Sequence, residues 1–349
     1  MSGRRRLMLA GGGAPMPIAG LRGTWWYVSS GGATVSSAMT ISGGTIGLGE
    51  RGAYMEVWSR GTASAVAIAN GGLMRVFEGG TAQQTALFSS GMLSIREGGS
   101  ASGTTISAAN ASYLISSGGV TTDDLLKGAG AVTNLYRGGL MERPILSAGT
   151  LRVSGGTILG PTVRNGDLYI SSGGKLLGGE QSGGYVHISS GGLFSGFSGG
   201  PRIYSGGSGC ALTVPKGQTA RVISSGILSG ATVSSGGFLH ASGGTIHQAE
   251  IASAGSMFLY KGAANDTIVS RGGRLYISGG VASGITAGGA GAGWTYLYVS
   301  SGGLACDVTV STGCRLYVFS GGTATDVTSM TGATIVVSAG GTITYKQQG

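Results

Sequence analysis

Charge is scarce in this chain. Aspartate, glutamate, lysine and arginine together make up 10% of its 349 residues, against a usual share of about 25%. Proline occurs 6 times and cysteine 3 times, and no run of eighteen apolar residues exists, so no membrane-spanning helix is expected. The cysteines, Cys210, Cys306 and Cys314, are odd in number and show no paired metal spacing. This argues against a small disulfide framework and a zinc site. Each reads as a small core or turn residue, and nothing supports a Cys306–Cys314 bridge. Few prolines and the absence of a three-residue glycine period rule out a collagen-like chain. Low charge does not mean disorder, because apolar residues still reach 41%. The net charge of +9 comes from 22 basic and 13 acidic residues. Apart from Arg4, Arg5 and Arg6 the basic residues are scattered, no basic stripe with interleaved aromatics stands out, and nucleic acid is not an expected partner.

What the chain has in abundance is glycine, 74 residues of it, set among Ser, Thr, Val and Ile. That composition suits short strands joined by tight turns. The glycines follow a repeat. LYVSSGG begins at Leu297, LYVFSGG at Leu316 and IVVSAGG at Ile335, while MEVWSRG begins at Met55, MRVFEGG at Met74 and LSIREGG at Leu93, nineteen apart within each series. WYVSSGG at Trp26 reads as the first strong copy, with MTISGG at Met39 as an irregular turn. In the motif an apolar residue and a Val or Ile sit two apart and share one face of a strand. Gly–Gly then makes a sharp turn. A second short strand follows, as at Val308 and Val310, and ends at another glycine. One such unit cannot bury its apolar face alone, whereas stacked units bury a continuous core. The sequence therefore predicts an all-β fold: a single-chain right-handed parallel β-helix or solenoid of about seventeen turns with a repeat of about nineteen residues. Residues 1–24 are expected to be a leader or cap and 25–349 the solenoid, with a bulge near Gly288 to Tyr296.

TVSSGGFLHASGGT (Thr232 to Thr245), LYISSGG and LYVSSGG resemble the passenger strand-loop-strand repeats of autotransporter adhesins of the diffuse-adherence type. The resemblance runs from Trp26 onward. It implies a non-enzymatic, extracellular or cell-surface β-helix acting in adhesion or self-association, with glycans, a host or bacterial surface, or itself as partner. It also implies heptosylation of repeat serines, for which Ser29, Ser116, Ser171, Ser189, Ser234 and Ser300 are the candidates by motif position. The sequence departs from that family in lacking a convincing signal peptide and a C-terminal outer-membrane barrel. Two alternatives stay open: a phage tail-fibre or spike component in a virion, binding a host receptor, and a carbohydrate-active β-helix.

Little in the sequence points to catalysis, a metal or a cofactor, and none is expected. The carboxylates do not cluster. Asp307 and Asp326 share a register, as do Asp124, Glu142 and Asp266, and all read as turn residues facing water. His240 and His247 are placed to approach across one turn. The aromatics carry more information. Outward strand positions hold Trp58, Phe77 and Arg96 at nineteen-residue spacing, and Tyr298 and Tyr317 likewise. Each series should form a ladder on an outer face, either a binding surface or cross-strand support.

Overall fold

The computed structural model describes residues 53–289 and 293–347, preceded by the backbone of the strands Leu7–Leu9, Met16–Pro17, Trp26–Val28, Gly32–Val35 and Thr40–Ile46. No helix occurs among the described residues. The chain divides into two compact units, Met1–Tyr185 and Val186–Gly349.

In the first unit most turns supply three short strands. One turn holds Leu73–Val76, Thr81–Gln83 and Ala86–Leu87. These pair in parallel with Met92–Ile95, Ser100–Ser102 and Thr105–Ile106 of the following turn. Three parallel sheets result, called sheet one, two and three in the order in which a turn visits them. Apolar side chains from all three point inward: Met74 and Val76 from sheet one, Ala82 from sheet two and Leu87 from sheet three, none more than 1% exposed. Burying each of the larger ones contributes about 1.5–3 kcal/mol, and stacking gives every inner side chain neighbours above and below.

The second unit repeats this plan, with sheets two and three of most turns drawn from one bent strand. Leu304–Val310 pairs along its length with Thr323–Ser329, and the bend falls on single left-handed residues, Asp307 (φ 50°) and Asp326 (φ 53°). Sheet one here includes Arg274–Ser278, Thr295–Ser300 and Cys314–Val318, paired in order. About fifteen turns are formed, compared with seventeen expected; the earliest fall where only strand backbone is described.

The corner after sheet one shows why two glycines recur. Gly98 adopts φ +69°, a left-handed conformation that side chains strain to reach. At Gly99 a Cβ would sit 2.5 Å from the Val76 carbonyl oxygen of the preceding turn, so only glycine lets the two backbones approach. The corner after sheet three uses the same Gly–Gly device, as at Gly71–Gly72, and this blurs the register of the sequence motif. Trp26–Val28 was expected to open the LYV series, but it pairs with Gly44–Ile46, which lines up with Val66–Ile68 in sheet three. The strand that leads into sheet one is Gly32–Val35, paired with Tyr54–Val57.

Candidate binding face

Alternation along sheet one fixes which side chains face outward. In Arg274–Ser278, Leu275 and Ile277 are buried, leaving Arg274 and Tyr276 on the outside. Parallel pairing then places equivalent outward residues one above another. Tyr276 lies opposite Tyr298, and Tyr298 opposite Tyr317. Their ring centroids are 4.8 and 5.4 Å apart, with ring planes within 15° of parallel. The expected Tyr298–Tyr317 ladder is therefore formed, and it is longer than those two residues. Phe258 stacks on Tyr276 at 4.6 Å, and His240 packs on Phe258 at 4.9 Å. Phe319 runs beside Tyr317 and Tyr298, and Tyr260 beside Phe258 and His240. The His240 pKa is lowered, first by burial and then by the nearby Arg221 charge. Repeat copies read as beginning at Phe238 and Phe258 would turn His240 and Phe258 inward; the structure instead buries Leu239, Ala241, Met257 and Leu259, one residue out of that register, and leaves both rings on the outer face.

In the first unit Trp58 and Phe77 also stack, with centroids 3.9 Å apart and planes 4° from parallel. Arg96 follows Ile95, which pairs with Val76, so it occupies the same outward position one turn on, and it is exposed. The surroundings of this column are acidic as well as basic. Glu56 accepts hydrogen bonds from the Trp58 indole and the Arg75 guanidinium, both at 3.3 Å, and Glu78 and Glu97 follow Phe77 and Arg96.

The serine candidates fall at two different corners. Ser116, Ser171, Ser189 and Ser300 lie at the exit of sheet one and are half-buried, whereas Ser234 ends a sheet-three segment. Ser29 lies outside the described residues.

The other chemical groups do not assemble. Asp266, Asp307 and Asp326 sit at the exposed corner between sheets two and three, with Asp307 ion-paired to Lys346 at 3.3 Å. Asp124 does not share that corner, contrary to its expected register. Asp123 takes the left-handed position (φ 56°) and salt-bridges Arg143 at 2.9 Å. The next residue must then turn inward, so Asp124 is buried at 1% exposure. Glu142 likewise belongs to a sheet-two strand, with Arg143 at its corner. His240 and His247 stand in different sheets, and His247 Nδ1 lies 3.3 Å from the Asn265 side-chain amide. All three cysteines are free, and burial pushes the Cys314 thiol up to about 12. Among the described residues no three His, Cys, Asp or Glu side chains are grouped to hold a metal ion.

Residues 51–110 match the family model of the adhesin of the bacterial autotransporter system, probable stalk. The repeats are similar to those of an autotransporter adhesin passenger. A solved structure, the TibC-catalyzed hyper-glycosylated TibA55-350 fragment, is similar over 89% of this chain and 100% of its own, with 27% identity and a TM-score of 0.52. No curated protein matches. These similarities support an adhesin-like passenger and favour neither a phage fibre nor a carbohydrate-active enzyme.

Proposed function

We propose that this passenger-like chain is a non-enzymatic adhesive solenoid of the cell surface or extracellular space, and that it makes contact through the outward side chains of sheet one. The observation that carries this reading is the five-turn column His240, Phe258, Tyr276, Tyr298 and Tyr317. Cross-strand support alone needs only neighbouring pairs. An unbroken outward row of rings with tyrosine hydroxyls is the kind of amphipathic surface that interfaces favour. Surface binding and self-association both fit such a face. The corner serines supply positions for glycans, in keeping with the hyper-glycosylated TibA fragment.

The test is the triple variant Tyr276→Ser, Tyr298→Ser and Tyr317→Ser, displayed on cells. Retained β-sheet circular dichroism with lost adhesion or aggregation is the expected result. Undiminished adhesion by a folded variant would remove the face as the contact site. The pair Trp58→Ser and Phe77→Ser asks the same of the first unit, where the neighbouring carboxylates leave a less uniform surface.

A further inference from the structure

We infer that the outward face of sheet one in Val186–Gly349 binds an acidic polysaccharide, a carboxylate-bearing glycan laid along the stacked turns. The inference rests on the adhesive reading above and names the ligand class for that face. What carries it is the division of charge within this unit. Its four acidic residues are Glu250, Asp266, Asp307 and Asp326. Glu250 lies in a segment paired with Ile268 in sheet three, and the three aspartates occupy the corner between sheets two and three. None lies on sheet one. Four of the unit's eight lysines and arginines do: Arg202, Arg221, Arg274 and Arg315 all occupy its strands. Lys261 stands exposed beside them. Among the described residues, Arg221, Lys261, Arg274 and Arg315 form no ion pair with a carboxylate; the Arg315 guanidinium instead lies 4.1 Å from the centre of the Trp294 ring.

Register turns these cations into rows. Arg202 lies opposite Arg221, and Arg221 opposite His240, heading the aromatic column. Two residues earlier on the same face, Arg274, Tyr296 and Arg315 follow one another on successive turns. The face thus offers forked guanidinium donors beside tyrosine hydroxyls, repeated at the strand spacing of about 4.8 Å. An extended sugar chain advances by a similar distance per ring, so successive carboxylates and hydroxyls meet successive turns. Guanidinium pairs with carboxylate through two parallel hydrogen bonds.

Two other occupants fit less well. A second copy could offer its acidic corner, but a chain of net charge +9 repels its copies at long range while attracting a polyanion. Single-stranded nucleic acid needs open ring faces on which bases stack, and here each ring of the column is stacked against the next.

The experiment measures binding of alginate oligosaccharides to the full chain, with dextran and oligothymidylate as comparison ligands and sedimentation velocity run alongside. The expected result is salt-sensitive alginate binding, no dextran binding, and weaker oligothymidylate binding. The pair Arg221→Gln and Arg274→Gln should weaken alginate binding at least tenfold while circular dichroism is unchanged. Equal binding of dextran, tighter binding of oligothymidylate, or full alginate affinity in the folded arginine pair would each overturn the inference. So would a wild-type chain that self-associates and binds no alginate. If the pair misfolds, Arg274→Lys, which keeps the charge but not the fork, should retain the fold and lose part of the affinity. Adhesion lost in the tyrosine triple variant but intact in the arginine pair would leave the adhesive face standing and reject only the acidic ligand.

Discussion

The Tyr113 hydroxyl donates a 3.2 Å hydrogen bond to the Asp124 carboxylate inside the first unit, with both residues at or below 1% exposure. The Thr104 backbone amide donates a second, at 2.9 Å. A charge-poor solenoid thus encloses an ionisable group in its core. Burial dominates its titration, and the Thr104 amide offsets only part of that, so its pKa is pushed up to about 6 from 3.8.

This relationship predicts a pH-dependent stability. The folded state holds the Asp124 proton more tightly than the unfolded chain does. Between about pH 4 and 6 it therefore binds more protons, and stability falls as pH rises. The contribution is fully present below about pH 4 and lost above about pH 6, and it amounts to roughly 3 kcal/mol. Urea midpoints at pH 4 and pH 7 should differ more for the wild type than for Asp124→Asn, which does not titrate there. Equal differences in the two proteins would refute the assignment.

Side-chain direction gives a second prediction. Val299 is fully buried, and Ser300 beside it faces outward at the end of the strand. Val299→Asp leaves a charge in the core with no partner and should cost at least about 3 kcal/mol. Ser300→Asp should change stability by about 0.5 kcal/mol or less. Chemical denaturation of the two variants checks the contrast, which fails if both are equally harmless.

The turn glycines separate two physical reasons for the same residue. Gly173 has φ +77° and open space where a Cβ would go, so Gly173→Ala should cost only the left-handed strain of about 1–2 kcal/mol. Gly99→Ala drives its Cβ onto the Val76 carbonyl, a backbone atom that cannot swing aside, and should cost more. A larger loss at Gly173 would contradict this account of the corner.

Sheet one was legible in the sequence because it presents two inward residues per turn, such as Leu316 and Val318, followed by Gly–Gly. Sheet two was not. It contributes three residues with a single inward side chain, often only alanine, as at Ala82 and Ala324. No two-residue period can emerge from so short a strand. The corner after it uses one residue, and its tolerance for Asp, Gln, Arg or Gly hides it. The same economy concealed Asp124, since its fate depends on which of two adjacent aspartates takes the left-handed position. The ladder at Tyr298 and Tyr317 was visible by spacing. Its extension to His240 and the gathering of arginines on that face were not, because parallel stacking joins residues some 18 to 22 apart in sequence whose types differ from turn to turn.

Modification at the corners provides the last prediction. The resemblance implies sugars on repeat serines, and the first serine of each Ser–Ser–Gly–Gly corner was the candidate by motif position. Ser116, Ser171, Ser189 and Ser300 are half-buried at the strand end. The serine after each of them, Ser117, Ser172, Ser190 and Ser301, is exposed. In three of these the residue is left-handed, with φ between 46° and 51°. A transferase must bring a bulky sugar donor against the hydroxyl, and a glycan must then be tolerated beside the neighbouring turns. Both demands favour the more exposed position. Co-expression with TibC followed by peptide mapping by mass spectrometry should therefore find sugar on Ser117, Ser172, Ser190 and Ser301 ahead of the serines before them. Alanine at these four positions should remove most of the added mass while leaving circular dichroism unchanged. Sugar confined to the first serines would show that the transferase reads the strand end rather than the exposed corner.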